Sequence, residues 1–100
     1  MNRVTITAAD HTSDEKPVVE CAGRIADLVA AALRQGNRVT ISFRGVRGAS
    51  SSYFNVILAA AVGVVGNKVI DDFLSVETET ATQRTVYERS LAAFKVSGAA

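Results

Sequence analysis

The chain has 100 residues and contains no tryptophan, one cysteine, one proline and one histidine. Its only cysteine, Cys21, cannot form a disulfide within the chain, so nothing in the sequence requires an oxidising compartment. One histidine and one cysteine are too few for a typical zinc site, and no carboxylates are spaced to complete one. We therefore expect neither a disulfide scaffold nor a metal centre.

A surplus of charge and a long apolar run are also missing. Lysine and arginine total 11 against 10 for aspartate and glutamate, whereas binding to nucleic acid or to an acidic membrane surface needs excess positive charge. The most apolar run, residues 56–65, is far shorter than the roughly 20 residues of a transmembrane helix. Because Met1 is not followed by a signal peptide, we expect a cytoplasmic protein that binds neither nucleic acid nor membrane.

The motifs of common enzyme classes are absent. Residues 45–52 are rich in glycine and serine, but they have neither the Lys-Ser or Lys-Thr pair of a Walker A loop nor the glycine spacing of a Rossmann fingerprint. The Gly-x-Ser-x-Gly pattern of a nucleophile elbow does not occur either. No nucleophile and base are arranged together, so we expect a protein without catalytic activity.

Short runs with β-branched residues alternate with longer helical segments along the chain. Residues 4–7, 39–43 and 73–77 show the alternation typical of strands. Helices are predicted from residue 17 to a stop at Gly36, from Ser50 or Ser51 to residue 65, and from residue 80 to about 96. This order predicts a single α/β domain over residues 1–100, with a small, mainly parallel sheet of three to four strands and alternating helices.

Two of the predicted helices carry further signals. The last helix begins with a capping box formed by Thr80 and Gln83. Its Arg84 and Glu88 lie four residues apart and are expected to pair on the surface. In the first helix, the period of 3.6 residues predicts an apolar, core-facing side made of Cys21, Ile25, Leu28, Val29, Ala32 and Leu33.

Open parallel sheets bind ligands and partners at the carboxyl ends of their strands. Three loops are expected at that end of this sheet. Their polar side chains are Asp10 and His11 after the first strand, Arg44, Arg47, Ser50, Ser51 and Ser52 after the second, and Glu77, Thr78, Thr80 and Thr82 after the third.

The loop after the second strand is the most informative of the three. It leads into a helix, and the free N–H groups and the dipole of a helix N-terminus favour an anion or a phosphoryl group. Arg44 and Arg47 would add further donors. In the alternative interpretation, Ser50, Ser51 and Ser52 supply the helix cap and nothing is bound.

Residues 36–58 resemble the STAS-like domains, the fold of the anti-sigma factor antagonists, and in particular a small bacterial branch of that family. The resemblance rests on a strand, a Gly-Val pair and a serine cluster that opens an apolar helix, in the run Val-Thr-Ile-Ser-Phe-Arg-Gly-Val-Arg-Gly-Ala-Ser-Ser-Ser-Tyr-Phe-Asn-Val-Ile-Leu. The arrangement of the first helix and of the last strand and helix agrees as well, so the resemblance covers most of the chain.

The resemblance implies a regulatory module that binds a protein, such as a histidine-kinase-like ATPase or an anti-sigma-type kinase. In the antagonists, an Asp-Ser-Ser-Gly segment at this turn carries the serine that the kinase phosphorylates. Ser51 matches that phosphoacceptor, while Ser50 replaces the aspartate and Tyr53 replaces the glycine. Docking is expected through residues 45–65, and the partner-binding residues are expected to be Ser50, Ser51, Ser52, Tyr53 and Arg47.

A second function remains open on the sequence, that of a domain that binds a small molecule or a nucleotide phosphate. In this hypothesis Arg44, Arg47, Ser51 and Ser52 form an anion site at the helix start. No resident cofactor is expected in either case. The edges of so small a sheet would be covered by pairing with another chain, and a homodimer is one such arrangement.

Overall fold

Strands and helices alternate along the chain in a computed structural model, which describes residues 2–11, 18–46, 48 and 50–97. The predicted α/β class with a small parallel sheet is confirmed. A 3₁₀ turn spans Ala8–His11. The other elements are β1 (Arg3–Thr7), α1 (Val18–Arg34), β2 (Arg38–Ser42), α2 (Ser51–Val65), α3 (Ile70–Phe73), β3 (Leu74–Glu77) and α4 (Ala81–Ser97).

The three described strands form one parallel sheet in the order β1-β2-β3. Right-handed crossovers between strands in this order place α1 and α2 on the same face. Alternation along the strands divides the side chains between two faces. The helix-covered face is apolar and carries Val4, Ile6, Val39, Ile41, Leu74 and Val76, whereas the opposite face carries Arg3, Thr5, Thr40, Ser75 and Glu77.

The polar face has its own cover at the central strand. Thr40 is buried on this face, and the group that covers it is the side chain of Arg3, whose Nη1 donates to Thr40 Oγ1 at 2.8 Å. The stem of a long cationic side chain can shield a neighbouring strand while its charged end stays hydrated.

α2 packs between α1 on one side and α4 on the other, above the sheet. From this central position α2 contributes Phe54, Ile57 and Leu58 to the core. The largest fully buried side chains are Phe43, Phe54, Ile25, Ile41, Ile57, Leu58, Ile70, Gln83, Val29 and Val39.

α1 follows the predicted apolar pattern except at Leu28. Cys21, Ile25 and Val29 are buried, but Leu28 is 40 % exposed, so its prediction as a core residue was wrong. Leu28 lies at the margin of the apolar stripe of the helix. The helix stops at Gly36, as predicted: its φ of 85° belongs to the left-handed region that favours glycine.

The third strand is shorter than the sequence predicts. Phe73 was expected to begin it, but this residue closes the short helix α3. The N–H of Leu74 donates to the C=O of Ile70, which ends the helix and turns the chain into β3. α3 is also attached to α4 by a surface ion pair between Asp71 and Lys95.

α4 begins with the predicted capping box. The N–H of Gln83 donates to Thr80 Oγ1 at 3.1 Å, and the N–H of Thr80 donates to Gln83 Oε1 at 3.2 Å. The predicted pairing of Arg84 with Glu88 is not found among the described residues. Instead, Arg84 Nη2 donates to the C=O of Val76 at 2.9 Å, which satisfies a carbonyl on the outer edge of the sheet.

Tyr87 attaches α4 to the core. Its side chain is buried, and its ring meets that of Phe54 edge-on with 5.5 Å between centroids. Burial raises the pKa of the phenol to about 12, and the negative charge of Asp71 adds to the shift while Arg84 opposes it. The neutral phenol is therefore favoured in the folded protein.

We expect the stability of the protein to fall as the pH rises from about 10, where the phenol of the unfolded chain ionises, toward the folded-state pKa of about 12. In this window the contribution of Tyr87 to the free energy of unfolding should decrease by about 1.4 kcal/mol per pH unit. Urea unfolding at a series of pH values measures the slope, and Tyr87→Phe should make it shallower. An equally steep decrease in the variant would contradict this assignment.

Candidate functional site

The carboxyl ends of the strands lie side by side, because Thr7, Ser42 and Glu77 occupy one row of the sheet. The loops that carry the predicted site residues all follow this row. We call this end of the sheet the carboxyl rim. Of its predicted residues, Arg47 lies outside the described part of the chain.

Ser50 has a structural task in the rim. It is the N-cap of α2, with extended backbone angles, and its Oγ accepts a hydrogen bond from the N–H of Tyr53 at 3.3 Å. Its C=O accepts from the N–H of Phe54 at 3.2 Å, the first hydrogen bond of the helix. Replacing such a cap typically costs about 1 kcal/mol, so Ser50 is committed to starting α2.

Ser51 and Ser52 occupy the first turn of α2 and are exposed. Their N–H groups belong to the orphan donors that every helix N-terminus presents. The Ser50 cap uses the next donor, that of Tyr53, and no hydrogen bond from the N–H groups of Ser51 or Ser52 to another described residue is found. The exposed hydroxyls of the two serines thus lie beside backbone donors.

Tyr53 differs from its expected place at the docking surface. It is only 2 % exposed, and its ring contacts those of Phe43 and Phe54 edge-on, with centroid distances of 5.8 and 6.0 Å. The reason is its position one turn before Ile57, on the side of α2 that faces the sheet. Tyr53 therefore anchors the start of α2 in the core, and its side chain does not take part in the outer surface.

Gln83 connects two loops of the rim, a role that the sequence did not reveal. It is 1 % exposed, and its Oε1 accepts from the N–H groups of both Glu79 and Thr80, at 2.8 and 3.2 Å. Its Nε2 donates to the C=O of Val46 at 2.5 Å. The capping box predicts the first contacts, but the bond to Val46 needs an amide donor, which a glutamate at this position could not supply.

The charges around the rim are mixed. Arg44, Glu77 and Asp10 are exposed, and His11 is half-buried. Glu77 also closes the sheet through its backbone, since its C=O accepts from the N–H of Phe43 at 2.9 Å. Over the described residues, the rim is thus a polar surface without a strong charge of either sign.

The outward side of α2 is uncharged along its whole length. α2 contains no aspartate, glutamate, lysine, arginine or histidine, although exposed helix faces normally carry charged side chains. We call the exposed residues of this helix the α2 face. They are small: Ser51, Ser52, Asn55, Ala59 and Gly63, with Val56 half-buried beside them.

The described residues offer no group of three histidine, cysteine, aspartate or glutamate side chains that could hold a metal ion. None of their helices combines the length and the apolar character that crossing a bilayer requires. Cys21 is free and buried on α1. The rim therefore offers hydroxyls, backbone N–H groups, the carboxylates of Asp10 and Glu77, the imidazole of His11 and one described arginine, Arg44.

No family model, curated protein or solved structure matches this chain. The functional proposal therefore depends on the geometry of the rim and of α2. The STAS-like resemblance of residues 36–58 remains an expectation from the sequence.

Replacing Gln83 by leucine should lower the free energy of unfolding by about 2–3 kcal/mol, because the change leaves the C=O of Val46 and two loop N–H groups without their partner. Thr82→Ala, on the same helical turn but exposed, should stay within about 0.5 kcal/mol of the parent. Urea unfolding measures both. Equal stability of the two variants would show that Gln83 does not hold the rim.

Proposed function

We propose that this chain is a regulatory protein-interaction module of the bacterial STAS-like kind, without catalytic activity, and that it acts in the cytoplasm. It docks a histidine-kinase-like ATPase of the anti-sigma type through the α2 face and the loop before it. Ser51 is the phosphoacceptor that switches docking. The observation that carries the proposal is that two adjacent serines differ in their contacts. Ser50 caps the helix, whereas Ser51 is exposed where an uncharged helix face begins.

The chemistry of a phosphate suits the position of Ser51. Phosphorylation adds nearly two negative charges at neutral pH, and the N–H groups and dipole at the start of a helix stabilise such charge by about 0.3–1 kcal/mol. Because Ser50 and not Ser51 accepts the capping hydrogen bond, modification leaves the cap intact. The fold is preserved while the docking surface changes from neutral to anionic.

The α2 face suits close approach by another protein. Its exposed residues are small and uncharged, so a partner helix can approach the backbone without desolvating ionised groups. At the exposed Gly63, a Cβ would meet no described atom within 4 Å outside its own stretch of the helix. The packing of the chain itself does not require glycine there, whereas a closely packed partner would.

A second candidate is an anion-binding domain, favoured by the N–H groups of Ser51 and Ser52 that find no acceptor among the described residues. These donors, with Arg44 and Arg47, would bind the phosphate of a nucleotide or sugar phosphate. A thermal-shift series with nucleotides and sugar phosphates tests this candidate. A stabilisation that Arg47→Ala removes would favour it over the protein-docking proposal.

Ala59→Glu should abolish docking, because it places a charge in the middle of the α2 face. Ala92→Glu is the matched control, since Ala92 is also an exposed alanine within a helix but belongs to α4. The tagged chain and both variants are purified from their native cells, and co-purifying proteins are identified by mass spectrometry. The parent and Ala92→Glu should recover a histidine-kinase-like ATPase, and Ala59→Glu should not. Equal recovery by all three would contradict the proposed docking surface.

Incubation of the purified chain with that kinase and ATP should add one phosphoryl group, on Ser51. Ser51→Ala should still bind the kinase but remain unmodified, and Ser51→Asp should bind it weakly, because a carboxylate partly reproduces the charge of the phosphate. Fragmentation mass spectrometry locates the group, and calorimetry measures binding. Modification of Ser50 or Ser52 instead, or tight binding by Ser51→Asp, would exclude Ser51 as the switch.

A further inference from the structure

The two outer edges of the sheet differ in whether their backbone groups find hydrogen-bond partners. On β3, the outward C=O of Val76 accepts from Arg84, and the outward N–H of Leu74 donates to Ile70. α3 and α4 thereby satisfy these backbone groups. No described element pairs with the outer side of β1, which is the other edge of the three-stranded sheet.

The backbone of β1 has a defined orientation at this edge. The C=O of Asn2 accepts from the N–H of Arg38 at 2.8 Å, so it points toward β2. Because successive residues of a strand turn their N–H and C=O groups to opposite sides, those of Arg3, Thr5 and Thr7 point outward. An open edge of this kind is a template for another strand.

A second β1 fits this edge in antiparallel orientation, about a twofold axis through Thr5. That register uses the whole strand and pairs Thr5 with Thr5 and Arg3 with Thr7 of the second copy, which gives about six backbone hydrogen bonds. It also places Val4 opposite Ile6 of the second copy on the apolar face. The polar side chains then face one another on the polar face.

Charge favours the same antiparallel orientation. Arg3 lies at the amino end of β1, and the exposed Asp10 follows its carboxyl end. In an antiparallel pair, Arg3 of each copy lies toward the end that carries Asp10 in the other. A parallel pair would instead bring the two Arg3 side chains together, and like charges directly opposite in a sheet are destabilising.

The exposed Leu28 lies on the same side of the molecule as this edge. Ala26 and Ala30 are buried, and each is roughly 160° away from Leu28 around α1. Because α2 is the helix that packs most extensively on α1, it buries that alanine flank. Leu28 therefore faces away from α2, on the side where β1 is the outermost strand.

The spacing of the elements makes the two features parts of one surface. Strands pair about 4.8 Å apart, and α1 covers β1 and β2. Pairing of two β1 strands would bring the two α1 helices to about 10 Å, which is an ordinary helix-packing distance. Leu28 of each copy would then be covered.

From the open edge, its symmetric register and the position of Leu28, we propose that two copies of this chain associate through β1 and α1 into a dimer with a continuous six-stranded sheet. The interface lies on the side of α1 that is opposite to α2, so the α2 face of each copy stays accessible. The proposal does not depend on the function of Ser51.

Light scattering during size-exclusion chromatography tests the dimer, and the parent should show twice the 10.5 kDa of the chain. Thr5→Pro should give a monomer, because it removes the outward N–H at the centre of the edge without breaking a bond to β2. Thr5→Ala keeps that N–H and should remain dimeric. Circular dichroism checks that each variant is folded.

Leu28→Glu supplies a second test that does not alter the strand. It should also give a monomer, because it places a charge where the two α1 helices meet. Val69→Glu is its matched control, since both side chains are 40 % exposed and Val69 lies in the segment between α2 and α3; this variant should remain dimeric. A monomeric parent, or a dimer that withstands both Thr5→Pro and Leu28→Glu, would overturn the proposal. Ala59→Glu should leave the mass unchanged, so that a failure of docking is distinguished from a failure of dimerisation.

Discussion

The buried side-chain amide of Gln83 joins two loops, one that leads to α2 and one that leads to α4. Its Oε1 accepts hydrogen bonds from two backbone N–H groups that precede α4. Its Nε2 donates to the C=O of Val46 in the loop that leads to α2. The C=O of Val46 is buried and would lack a partner if the amide were absent, and an unpaired buried polar group typically costs about 1–3 kcal/mol. Gln83 thereby holds Val46, four residues before the Ser50 that caps α2.

The surface of the rim follows from this fixed starting point. Ser50 caps the helix, and Tyr53 is buried in the core. The residues between them, Ser51 and Ser52, are exposed at the helix N-terminus. α2 is buried on both flanks by α1 and α4 and below by the sheet. One narrow side remains exposed, and it carries no charge. Docking through this side and control by a phosphate at its start are thus compatible with an unchanged core.

Much of this architecture could be predicted from the sequence, because strand alternation, the glycine stop of α1 and the capping box of α4 are local signals. The errors occur where tertiary packing decides. Leu28 fits the apolar period but lies exposed at the margin of the apolar stripe, and Phe73 is typical of a strand residue but closes a helical turn. The burial of Tyr53 and the bond from Gln83 to Val46 depend on contacts between segments far apart in sequence, which no local pattern contains.

Hydrogen exchange of individual amides, followed by NMR, tests the central role of Gln83 most directly. Glu79 itself is exposed, yet its N–H donates to the buried Gln83 side chain. We expect the amide protons of Glu79 and Thr80 to exchange only when the whole protein unfolds, as slowly as those of β2 at the centre of the sheet. Exchange of these two amides at the rate of an unstructured loop, while β2 remains protected, would contradict the account.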